Sequence, residues 1–176
     1  MTIPNMTIHR ALLLMATIIL NFSCKENKEK PSDLDNIHNQ FTQAMKILAP
    51  EHEIKKEEAF LLIPNTGCSG CINEAEMILK SEIEKQSNLN YILTNIESVK
   101  LLKNKLGIDV TRHEKIMVDK QNLFYKNELR SIYPKLYLFN SKGRLFKVLE
   151  ISPQMNGMEI YRKMIKDGEF KAESAL

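Results

Sequence analysis

Two cysteines three residues apart, in Cys68-Ser69-Gly70-Cys71, stand between an apolar run, Phe60-Leu61-Leu62-Ile63, and a stretch with helical spacing, Ile72, Ala75, Ile78, Leu79 and Ile83. This junction constrains the chain more than any other feature. A short apolar run followed by an amphipathic helix reads as a strand feeding a helix. A cysteine at that turn meets the unpaired N–H groups and the positive end of the helix dipole, which stabilise the reactive thiolate. Cys71, one turn later, points back toward the same end and can close a disulfide with Cys68. Closing so small a loop removes little entropy from the unfolded chain, so redox exchange explains the pair better than stabilisation does.

The rest of the chain alternates between the two periodicities. Leu34, Ile37, Phe41, Met45 and Leu48 predict a helix over about 33–48, capped by Ser32 or Asp33 and followed by Pro50. Ala59 to Pro64 has the length and apolarity of a strand buried on both faces, and the helix after the cysteines runs to about Lys85. Leu89 to Asn95 is a strand, and Val99, Leu102 and Leu106 mark a helix that stops at Gly107. Lys115 to Asp119 is a short strand, Leu123 to Ile132 a helical segment, and Lys135 to Asn140 and Leu145 to Ile151 are strands joined by the turn Ser141-Lys142-Gly143. A last helix starts near Pro153 or Asn156 and carries Met158, Tyr161, Met164 and Ile165. This order predicts an α/β fold with a central mixed sheet, helices on both faces and an antiparallel hairpin at its late end. With 176 residues, 43% of them hydrophobic, the chain suits one such domain, over 33–170, with a short tail over 171–176.

The N-terminal segment belongs to a different environment. Arg10 precedes an unbroken apolar stretch from Ala11 to Leu20, too short to span a bilayer as a helix but right for a secretory signal peptide over 1–23. Asn21-Phe22-Ser23-Cys24, with a small residue before the cysteine, resembles the lipobox of bacterial lipoproteins. That resemblance implies cleavage before Cys24 and a lipid on its sulfur, with 24–32, polar and rich in Lys, Glu and Asn, as a flexible tether. The expected location is the cell envelope, facing the periplasm or on the outer membrane, with the membrane reached through the lipid on Cys24. Cleavage removes one basic residue, leaving 24 Lys and Arg against 22 Asp and Glu, a side-chain balance of +2 that is too small to select a partner. No basic stripe points to nucleic acid.

Cys-x-x-Cys at an early strand–helix junction, together with Tyr133-Pro134 just before a late strand, resembles the thioredoxin fold, and more narrowly the TlpA/ResA-like envelope thiol-disulfide oxidoreductases. The strand and helix expected around Ile116 to Ile132 resemble an insertion carried by that group. The resemblance implies Cys68 as attacking thiol, Cys71 as resolving thiol, and Ser69 and Gly70 as residues that tune the pair. It also implies a cis bond before Pro134 that presents the Tyr133 backbone to an extended substrate segment. No cofactor and no metal are expected. The implied partners are exported proteins with thiols or disulfides, and an envelope electron donor or acceptor. Gly67 stands where thioredoxins carry an aromatic residue, and Leu62 near where they carry a buried carboxylate. Those departures favour a specialised partner over general reductase activity.

The same cysteines allow a second reading. Gly67 to Glu76 also resembles the Cys-x-x-Cys entry to the helix in small heavy-metal-binding domains, which hold copper or zinc between two thiolates. Those domains need a strand hairpin soon afterwards, whereas here one strand leads into another helix. Asp119 and Glu150 lack any spacing that would make a hydrolytic pair and read as solvated carboxylates; His113 reads as a surface residue, and His38 and His52, in or beside the first helix, have as little claim to a metal or acid-base role. Glu74 and Glu76 are the nearest charges to the cysteines in sequence.

Overall fold

A computed structural model describes residues 33–54, 57–85 and 87–167. The signal segment, Cys24, the tether and the tail over 171–176 lie outside them. Among the described residues, four α-helices and six strands follow in the order α1 (Asp33–Leu48), β1 (Ala59–Pro64), α2 (Ser69–Glu82), β2 (Leu89–Thr94), α3 (Val99–Leu106), β3 (Ile116–Asp119), β4 (Lys135–Phe139), β5 (Leu145–Ser152), β6 (Met155–Asn156) and α4 (Gly157–Asp167). The strands lie in the order β3-β2-β1-β4-β5-β6. β1, β2 and β3 are parallel, while β4 runs antiparallel to β1 and β5 antiparallel to β4. This mixed sheet with helices on both faces, and a Cys-x-x-Cys pair where β1 meets α2, is a thioredoxin-like fold.

Alternation along the strands builds the two faces. Leu61, Ile63, Tyr91, Leu93, Leu136 and Leu138 point to one side, where Ile72, Ala75 and Leu79 of α2, Leu102 and Leu106 of α3, and Met158, Tyr161 and Met164 of α4 cover them. Phe60, Leu62, Ile92, Tyr137 and Phe139 point to the other, under α1 and the segment between β3 and β4. Because β1 is covered on both sides, all six of its residues are buried, as its unbroken apolar sequence requires. Phe41 of α1 is the anchor on the second face, with Phe60, Phe124, Tyr137 and Phe139 each within 5.3 Å of its ring centre.

The segment expected to be helical over Leu123 to Ile132 is instead a loop with a single 3-10 turn, Asn127–Leu129. Asn122 and Asn127 hold positive φ values of 56° and 49°, which interrupt a right-handed helix, and the Asp119 carboxylate takes the amides of Leu123 and Phe124. A helical reading missed a loop that buries only Phe124 and Leu129. β6 is also new: its two residues fold back on Ile151 and Ser152 just before α4.

Candidate functional site

The Cys68–Cys71 disulfide sits at the carboxyl end of β1, where the sheet hands the chain to α2. Cys68 is the N-cap of α2: its backbone is extended, its carbonyl accepts the Ile72 amide at 2.9 Å, and its sulfur lies 3.4 Å from the Cys71 nitrogen. The two sulfurs differ in access. Cys68 is partly exposed and Cys71 only 7% exposed, packed down by the inward face of α2. Ser69 and Gly70 between them are both exposed. No Cβ at Gly70 would meet an atom within 4 Å, so the turn is open to solvent on that side.

Neighbouring strand ends brace the loop that carries Cys68. Pro64, Thr94 and Asp119 are level across β1, β2 and β3. The Asn65 amide donates to the Thr94 carbonyl at 3.0 Å, and the Asn95 side chain donates to the Thr66 hydroxyl at 2.6 Å. From the other side of β1, the loop before β4 closes in: the Cys68 amide donates to the Ile132 carbonyl at 2.9 Å. That approach depends on Gly67, whose φ is +143° and where any Cβ would overlap the Ile132 carbonyl. An aromatic side chain at position 67 therefore has no place beside this loop.

The loop that leads into Tyr133-Pro134 reaches Cys68 through Ile132, and its proline is not in the expected form. Every peptide bond among the described residues is trans, including the one before Pro134, which corrects the expected cis bond. With the bond trans the loop still delivers a carbonyl to Cys68, from Ile132, while the Pro134 carbonyl accepts the Ile151 amide at 2.9 Å and leads straight into β4. Of the Tyr133 backbone groups, the amide donates to the Ser131 hydroxyl at 3.0 Å.

The carboxylates fall into places that sequence spacing did not reveal. Asp119 is fully buried rather than solvated, accepting from the Thr94 hydroxyl at 2.7 Å and from the Leu123 and Phe124 amides at 3.0 and 2.8 Å. It lies two strands from β1, roughly 10 Å across the sheet, and acts as a structural clamp. Glu150 pairs with Lys135 at 3.9 Å on the far side of β4, so the two carboxylates form no pair. Glu76 turns away from the disulfide toward Lys105 of α3, at 2.7 Å, while Glu74 is exposed. Leu62 packs into the aromatic face, so no carboxylate stands at that point of β1. Another buried carboxylate, Glu58, sits at the opposite end of β1 with His52 at 3.0 Å and Asn90 at 2.5 Å.

As a chemical device the site offers one accessible sulfur, one shielded sulfur and a helix start that favours negative charge. Among the described residues no group of three or more His, Cys, Asp and Glu side chains is gathered as a metal site, and no helix is long and apolar enough to cross a membrane. No family model matches the chain, and no curated protein or solved structure matches it either.

Proposed function

We propose that this protein is a thiol-disulfide oxidoreductase of the bacterial cell envelope, of the TlpA/ResA-like kind, exported by its N-terminal segment and held to the membrane through a lipid on Cys24. The observation that carries the redox reading is the pairing of a partly exposed Cys68 with a buried Cys71 across the first turn of α2. The apolar stretch and Ser23-Cys24 support export and anchoring.

In the reducing direction the Cys68 thiolate attacks one sulfur of a substrate disulfide. The Cys68–substrate bond forms, the substrate S–S bond breaks, and the released sulfur leaves as a thiolate that takes a proton from water. Cys71, having lost its proton to solvent, then attacks Cys68 Sγ. The protein disulfide forms and the second substrate sulfur leaves. Two electrons have moved from the dithiol to the substrate. The reverse sequence uses the same bonds, and the envelope partner that restores the starting state sets the direction.

A Cys71→Ser variant tests the proposal, because it can attack but cannot resolve. Offered a protein disulfide, it should accumulate a mixed disulfide on Cys68 that dithiothreitol removes. Tight stoichiometric binding of copper(I) or zinc by the reduced wild type, with no mixed disulfide from the variant, would replace the redox reading with metal carriage.

A further inference from the structure

We propose that the side chain of Ile132 is the specificity-determining residue of this site, and that it selects disulfides whose cysteine is flanked by an apolar side chain. The inference rests on the redox reading above. Three observations carry it.

The main chain beside Cys68 is already committed. The Ile132 carbonyl accepts the Cys68 amide at 2.9 Å, and the Tyr133 amide donates to the Ser131 hydroxyl at 3.0 Å. A substrate segment pairing here would have to displace the Ser131 hydroxyl from the Tyr133 amide and share the Ile132 carbonyl with the Cys68 amide. Side-chain contacts therefore gain weight in recognition.

Ile132 is the large apolar side chain on offer there. It is 54% exposed, although its α-carbon lies 2.8 Å from where a Gly67 Cβ would stand, at the residue next to Cys68. Since position 67 has no room for a side chain, nothing there covers Ile132. An exposed isoleucine gains by burial against an apolar neighbour.

The two segments nearest Cys68 carry no charge of their own: Asn65 to Asn73 and Ser131 to Pro134 contain no Asp, Glu, Lys, Arg or His, and the exposed Glu74 and Arg130 stand just outside them. A charged flank seated on these segments would lose hydration without finding a partner within them.

The test uses the reduced full chain and two disulfide-linked peptides that differ only beside the cysteine, one with leucine and one with glycine. The wild type should oxidise roughly tenfold faster with the leucine peptide, the size expected for burying most of an isoleucine side chain. Ile132→Ala and Ile132→Asp should bring the ratio near one, while Ile47→Ala, an equally exposed isoleucine on α1, should leave it as in the wild type. A wild-type ratio near one, or a ratio that survives in both Ile132 variants, overturns the inference while leaving the redox function standing. Failure of the wild type to exchange even with glutathione disulfide overturns the redox reading itself, and this inference with it.

Discussion

The Ile132 carbonyl and the Cys68 amide are joined by a 2.9 Å hydrogen bond that ties the loop before β4 to the N-cap of α2. The bond spans the antiparallel β1–β4 pair, so the middle of the sheet, rather than the cysteine loop alone, fixes where the disulfide stands. Gly67 permits it.

Gly67→Ala should therefore cost about 1–3 kcal/mol, because the new methyl must push the Ile132 carbonyl away and strain a backbone at φ +143°. Gly107→Ala, at φ +70° with nothing within 4 Å, should cost only about 1 kcal/mol from backbone strain. Urea unfolding of the two variants side by side checks the difference.

Asp119→Ala should be among the most damaging changes outside the apolar core. It strands the Thr94 hydroxyl and the Leu123 and Phe124 amides, and a loss of about 3–5 kcal/mol follows. Asp119→Asn retains an acceptor and should cost less. Denaturant midpoints measure both.

Tyr137 gives a prediction of opposite sign. Its hydroxyl is buried without a hydrogen-bond partner, and burial pushes its titration well above the usual tyrosine range. Tyr137→Phe should be neutral or stabilising by up to about 1 kcal/mol, since the ring packed on Phe41 is kept and an unpaired polar atom is removed. Phe41→Ala in the same cluster should cost about 3–5 kcal/mol. Thermal melts distinguish these directions at once.

His38 should make the fold sensitive to mild acid. Its Nδ1 accepts the Leu145 amide at 3.2 Å, which only the neutral ring can do. Burial first, then the Arg144 guanidinium, lower its titration below the ordinary 6.5, while Asp35 opposes them. The unfolded chain thus binds the proton more readily than the folded one, so this stabilisation is present above pH 6.5 and is lost as pH falls from there toward the folded value. The urea midpoint should drop between pH 7.5 and pH 5.5, and drop less in His38→Gln.

Strict periodicity made most of the fold legible. The 3.6-residue spacing of Leu34 to Leu48 and of Ile72 to Ile83, and the unbroken apolar Ala59 to Pro64, each admit one packing, and together they imply the sheet with helices on both faces. The hairpin turn was legible too, because Gly143 supplies a φ of +70° there. The stretch from Asp119 to Pro134 was not. Its apolar residues follow no single period because they are held by the Asp119 side chain and by two asparagines at positive φ.

Within the site, the cysteine pair at the strand–helix junction could be read from the motif, whereas the Ile132–Cys68 bond could not. It joins residues 64 apart and depends on what Gly67 lacks. A glycine directly before the first cysteine was the available signal, since a missing side chain at a tight turn marks a close backbone approach.

The most direct test of the central claim is redox equilibration of the full chain in glutathione buffers, with free thiols trapped by alkylation and counted by mass at each cysteine. The redox account predicts one two-electron transition in which Cys68 and Cys71 change together, with Cys68 alkylated faster than Cys71 in the reduced protein. A folded protein whose cysteines stay locked in one state across the whole range of buffers, or titrate independently of each other, would contradict it.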